Sequence, residues 1–166
     1  IRNLEDYIVY ARKKGFIDIM FNTNASLLTA ERAKSILDSG VTRIRFSLDA
    51  INKKTYEKIR IGGDFDKVYK NIENFLDIKR KGGYKLPVTG VSFVVQSENY
   101  DEVEDFKNYW KERVDMVTLQ NFLPPIPTGD FTDFYPPSQF YSPSDVSSFK
   151  CVQPYQRIVI RNKVLT

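Results

Sequence analysis

Polar side chains collect at one kind of place in this chain, the far end of alternating apolar stretches. Asn22 and Asn24 close the stretch 16–24, and Ser47 and Asp49 close VTRIRFSLDA at 41–50. Gln96 follows 88–95, Gln120 lies near the end of 115–122, and Arg60 comes soon after the second stretch. A hydroxyl or amide at a strand tip can hydrogen-bond an ammonium or a carboxylate, and a guanidinium can grip a carboxylate through two parallel bonds. What is missing narrows the chemistry further. The 166 residues contain no histidine and one cysteine, Cys151. This excludes Ser-His-Asp and Cys-His nucleophile systems, histidine-held metals, an internal disulfide, a Cys-only zinc site and any iron–sulfur cluster held by this stretch alone.

The elements that must carry these residues follow from periodicity. Leu4–Lys14, Ala30–Asp38, a short segment at Thr55–Arg60, Phe65–Arg80 and Asp101–Lys111 have helical spacing of apolar residues, with Thr29 and Asp64 placed as N-caps and Gly15 and Gly40 as stops. Between them, 16–24, 41–50, 88–95 and 115–122 alternate as strands do. The stretch GGDF at 62–65 is explained by two glycines and the Asp64 cap. Strands alternating with helices through short connections predict a parallel sheet built of right-handed βαβ units. Buried parallel strands normally read as continuous apolar runs. Here one face stays apolar while the other carries Asn22/Asn24, Ser47/Asp49 or Thr118/Gln120 toward the C-terminal tips. The expected fold is therefore α/β, a partial TIM-like (β/α) barrel with parallel strands. Its apolar face meets outer helices and its polar face lines a cavity open at the strand tips, where active sites of such folds lie. Four strands do not close a barrel. Either the domain is an open part-barrel or strands precede Ile1, and the opening of the chain in a helix fits the second; the C-terminus reads as cut within an element. Arg43 and Arg45 sit deeper on the polar face than Ser47, and a charge there must be paired or reach water. Asp18 is the expected partner.

Residues 1–122 form the predicted barrel core. Residues 123–150, rich in proline and aromatic residues without a period, read as a long loop of the sort that covers a site. Residues 151–166 begin with Cys151 and read as the start of an extension with a short hairpin. Net charge is +4, from 25 basic and 21 acidic residues. The densest basic groups, Arg12–Lys14 and Lys79–Lys81, fall at predicted helix C-termini, where they complement the dipole. No nucleic-acid partner is expected from charge so dispersed. No run approaches the roughly 20 apolar residues of a membrane span, and no leader pattern is visible, so no membrane partner and a cytoplasmic location are expected.

The succession FNTNASLLTAERAKSILDSGVTRIRFSLDA, TYEKIRIGGDFDKVYKNI, VSFVVQSEN, VDMVTLQNF and CVQPYQRIVIRNKV resembles the later part of a radical S-adenosylmethionine (SAM) enzyme. It is most similar to the subgroup with a Cys-rich C-terminal extension of the SPASM type. The resemblance implies SAM and a [4Fe–4S] cluster, whose CxxxCxxC motif would lie upstream of Ile1. In the parent protein SAM would be reductively cleaved to a 5′-deoxyadenosyl radical that modifies a peptide or small polar substrate, with an electron donor such as flavodoxin or ferredoxin. The segment alone is expected to be inactive. By resemblance Ser47 contacts the amino-acid portion of SAM within an SLDG-like motif that has Ala50 in place of glycine. Arg60 pairs with the SAM carboxylate, or else forms a surface ion pair with Glu57. Asn22 and Asn24 bond SAM or substrate, or else stabilise a loop turn; Gln96 and Gln120 occupy equivalent tips. Cys151 is implied as the first ligand of an auxiliary iron–sulfur cluster, or is a buried thiol. The competing reading of the whole is a cluster-free α/β binding or scaffold module.

Overall fold

Four strands hydrogen-bond in the order in which they occur in the chain, β1-β2-β3-β4, and every pair is parallel. They are β1 (Met20–Thr23), β2 (Arg43–Ser47), β3 (Val88–Val95) and β4 (Met116–Asn121). The computed structural model describes residues 3–122 and 132–137, together with the backbone of 160–161 and 164–165. Helix α1 (Leu4–Lys13) precedes the first strand, and α2 (Ala30–Asp38), α3 (Lys53–Ile59), α4 (Phe65–Lys81) and α5 (Val103–Trp110) fill the connections, with a short 3₁₀ turn at Tyr100–Glu102. Sequential parallel order with right-handed crossovers puts the helices on one face of the sheet. That is the partial (β/α) barrel predicted above. Residues 151–159 and most of 123–150 lie outside the described residues, and so does Cys151. Ile160–Arg161 and Val164–Leu165 form a short antiparallel pair, β5 and β6.

The helix-facing side of the sheet is the core. Ile44, Phe46, Leu48, Val91 and Phe93 are at most 1% exposed and pack against Ile36, Ile72, Phe75, Phe106 and Trp110. Each such burial contributes roughly 1.5–3 kcal/mol, so the alternation in 41–50 and 88–95 is fixed by the helices that cover it. The predicted caps are present: the side chains of Thr29 and Asp64 accept from the main-chain N–H of Arg32 and Lys67. Basic residues occupy the last turns of α1 and α4.

Three differences from the sequence reading have physical causes. The first strand begins at Met20, not near residue 16. Ile17 is 86% exposed, and the chain before β1 is held instead by Thr42, whose hydroxyl accepts from the Ile19 N–H at 2.7 Å and donates to Asp18 at 2.8 Å. The second strand ends at Ser47, because Asp49 turns into the left-handed region at φ 66°. The helix predicted from Asp101 opens as a 3₁₀ turn, and α5 proper starts at Val103.

Candidate cofactor and substrate face

Strand register places the polar residues in layers on the face that the helices do not cover. Asn22, Arg45, Gly90 and Met116 are register partners in one layer, and Ser47, Ser92 and Thr118 in the next toward the tips. Val94 and Gln120 pair above them. Layers two residues apart are separated by about 7 Å, and neighbouring strands by about 4.8 Å. The result is a polar wall three to four strands wide.

Asp49 and Arg60 are brought together at its rim. Asp49, 7% exposed, accepts from the Val94 N–H at 2.8 Å through one oxygen and from Arg60 at 2.5 Å through the other. Arg60 also donates through Nε to the Leu48 carbonyl at 3.2 Å. Its ion-pair partner is therefore Asp49 and not Glu57, which lies 3.9 Å from Lys53. Two of the guanidinium's donor groups are thereby engaged, and Nη1 makes no bond among the described residues.

Ser47 is half-buried, and its hydroxyl has no partner among the described residues. Asn22 is exposed and equally free there. Asn24 is occupied locally: its Oδ1 accepts from the N–H of Ser26 at 3.2 Å and from its hydroxyl at 2.9 Å, an Asx-type turn. Asn22 and Asn24 line a groove of about 210 Å³ with Leu4, Phe21 and Arg32. Gln96 is buried at the tip of β3 and Gln120 is exposed on β4. A larger hollow of about 660 Å³, lined by Asp77, Thr89 and Asp115, sits at the N-terminal ends of β3 and β4, away from these tips.

Two residues without a role in the sequence reading hold the rim. Asn99, fully buried, donates to the carbonyls of Asp49 at 2.7 Å and Val94 at 2.9 Å and accepts from the Gln96 N–H at 2.8 Å. Glu102 accepts from the N–H groups of Ile51 at 2.7 Å and Asn52 at 3.3 Å and from the Asn52 side chain. The sequence shows only that they stand just past the third strand, in QSENYDE; the distant backbone groups they bind are not visible in it. Part of the Pro-rich stretch also returns to this end. Ser97 donates from its N–H to the Phe134 carbonyl at 3.0 Å, and the Phe134 ring stacks on Phe122 at 5.5 Å.

The two arginines of β2 part company. Arg43 forms a two-point ion pair with Asp18, which precedes β1. This pairing holds the guanidinium's pKa above its ordinary value. Arg45 is half-buried on the uncovered face and has no ion pair or hydrogen bond from its side chain among the described residues. The expectation that Asp18 serves both is corrected by geometry: Asp18 approaches only the level of Arg43.

Residues 1–109 match the Radical SAM superfamily. The chain belongs to that superfamily. The chain is 29% identical over 153 residues to a GTP 3′,8-cyclase of Clostridium botulinum (strain Okra / Type B1), covering 91% of this chain and 45% of that protein. It is 30% identical over 110 residues to a GTP 3′,8-cyclase of Limosilactobacillus fermentum, covering 66% of this chain and 31% of the relative. A probable GTP 3′,8-cyclase of Methanocaldococcus jannaschii is 28% identical over 107 residues, covering 64% and 34%. The chain thus spans about half the length, or less, of these relatives.

The cofactors of the Radical SAM superfamily are SAM and a [4Fe–4S] cluster. The residues present fit them unequally. One cysteine among 166 residues cannot supply a cluster's thiolates, and no group of three metal-ligating side chains occurs among the described residues. Unpartnered polar groups at the strand tips, those of Ser47 and Asn22, do fit a zwitterionic amino-acid group. No helix among the described residues is long and apolar enough to cross a membrane.

Proposed function

We propose that this chain supplies the SAM- and substrate-facing wall of a radical SAM enzyme acting on a small polar substrate. One observation carries the reading. In a superfamily member, the sheet face that the helices leave uncovered bears a layered set of polar groups, and several of them have no protein partner. Ser47 and Asn22 would hold the amino-acid portion of SAM, with Gln96 and Gln120 at neighbouring tips. Arg60, already braced by Asp49, would offer its remaining donors to the carboxylate. Asp49, Asn99 and Glu102 act by holding that rim in shape. Asn24 contributes through its turn.

When bound, SAM and a reduced cluster supply a 5′-deoxyadenosyl radical that takes a hydrogen atom from the substrate; the protein supplies orientation and exclusion of water. The relatives named for GTP support a small, polar, phosphate-bearing substrate over a peptide. Electrons would come from a flavodoxin or ferredoxin. Cys151 would ligate an auxiliary cluster of the SPASM type. The test is anaerobic reconstitution of the natural full-length protein with iron and sulfide, followed by reduction in the presence of SAM. Formation of 5′-deoxyadenosine at several times the enzyme concentration is expected with substrate present. Iron below about four atoms per chain, or SAM bound but never cleaved, would instead leave a cluster-free binding module.

A further inference from the structure

The strongest unexplained feature spans the layer of Ser47 and the layer below it. Arg45 is half-buried and unpaired among the described residues. Directly across from it on β3 stands Gly90. A Cβ at Gly90 would come within 3.2 Å of the Met116 carbonyl oxygen and 3.6 Å of the Met116 Cβ, so a side chain on β3 beside the arginine would be tightly confined, and β3 carries none there. In the next layer Ser92 is 5% exposed, and its hydroxyl has no partner among the described residues. Beside it on β4, the Thr118 hydroxyl is buried and has no hydrogen-bond partner. Leaving the buried Thr118 hydroxyl unpaired is costly, and so is an unpaired half-buried cation. With Ser92 between them, these groups on adjacent strands and on one face call for a common acceptor. Asp49, the one carboxylate carried on that face by the described strands and their tips, is engaged by Val94 and Arg60.

We infer that Arg45, Ser92 and Thr118 form an oxyanion subsite that takes a phosphate group of the substrate, an inference that rests on the radical SAM reading above. The donor set favours phosphate. A guanidinium and two hydroxyls offer bonds to at least three oxygens, which a phosphate group has and a carboxylate lacks. Position on the wall favours the substrate. Arg45 lies one layer toward the N-terminal ends from Ser47, where SAM is read as held, and Ser92 and Thr118 share Ser47's layer but on the two strands leading away from it. The arginine would therefore set the substrate's position and its class without touching the cofactor.

The experiment is equilibrium binding to the anaerobic natural full-length protein and to its Arg45→Gln, Arg45→Lys and Ser92→Ala variants. The probes are GTP, inorganic triphosphate, guanosine and SAM. Expected is a loss of GTP and triphosphate affinity of roughly tenfold to a hundredfold in Arg45→Gln, the range for a charge-assisted contact. Arg45→Lys should recover part of it and Ser92→Ala should lose less, while guanosine and SAM affinities stay within about twofold in all three. Loss of SAM affinity with triphosphate binding intact would overturn the proposal and give Arg45 to the SAM carboxylate. Absence of GTP and triphosphate binding by the wild-type protein would overturn it too. Triphosphate bound through Arg45 by a protein that takes up no SAM would uphold the subsite and sink the radical SAM reading.

Discussion

Asp49 and Arg60 meet at 2.5 Å just past the end of β2, and the same carboxylate accepts from Val94 on the neighbouring strand. The turn that presents Asp49 runs through φ 66°, a region costly for most side chains but tolerated by Asp and Asn. Asp49→Asn keeps the turn and the Val94 bond and loses the ion pair. Asp49→Ala loses both contacts and adds strain. Urea unfolding should show a cost of about 1–2 kcal/mol for the first and about 3–4 kcal/mol for the second. Equal costs would mean that the turn and the Val94 bond contribute nothing.

Asn99 extends the same fastening. Its amide joins two carbonyls and one N–H at a fully buried point. Asn99→Ala leaves all three unpaired and should cost about 2–4 kcal/mol. Asn99→Asp puts a second acceptor against the carbonyls of Asp49 and Val94 and should be worse than alanine. Chemical denaturation of the pair checks the order.

Gly63 guards Arg60 from the other side. A Cβ there would lie 2.8 Å from the Arg60 carbonyl oxygen and 2.9 Å from Tyr56 Cε1, and the first of these is backbone that cannot swing aside. Gly63→Ala should destabilise by about 1–3 kcal/mol and displace Arg60. If SAM leans on that arginine, its affinity in the full-length protein should fall with the stability.

The apolar half of this architecture is legible in the sequence, because alternation in 41–50 and 88–95 and the helical stripe of Val68, Ile72 and Phe75 record burial directly. The match of Asp64 to a cap is equally local. Asn99 and Glu102 are not legible. Each acts on backbone about fifty residues earlier in the chain, and no periodicity encodes a side chain bonding a distant carbonyl or N–H. The division of labour between Arg43 and Arg45 is hidden for a related reason. Alternation gives them the same face, while pairing depends on where the chain before β1 carries Asp18, a segment that is not strand at all.

Asp115 gives the fold a pH response. Burial pushes its carboxyl up, but bonds from the Thr89 N–H at 2.7 Å and hydroxyl at 2.8 Å, with Lys79 at 3.4 Å, outweigh it and hold the pKa below the ordinary value. A carboxyl depressed in the folded state binds its proton more readily when unfolded. Its stabilisation is therefore complete above the unfolded pKa of about 3.9 and is lost as pH falls through the folded value. Asp115→Asn should be less stable than wild type at pH 7, and the gap should narrow below about pH 4. A gap independent of pH would show that the carboxylate's charge is not what Thr89 and Lys79 stabilise.

The contrast between the two β2 arginines makes the last prediction. Arg43 and Asp18 are both about half exposed, at 49% and 48%, so their ion pair is screened by water and salt. Arg43→Gln should lower the melting temperature slightly at low ionic strength, and 1 M salt should erase the difference. Arg45→Gln removes a half-buried charge that has no partner among the described residues, so it should leave the melting temperature unchanged or raise it at any salt concentration. A stabilising loss at a polar wall is what a group kept for binding produces, since its desolvation is offset only when ligand arrives. If Arg45→Gln is instead destabilised as Arg43→Gln is, and salt removes both effects, the arginine serves the fold and the oxyanion subsite loses its central donor.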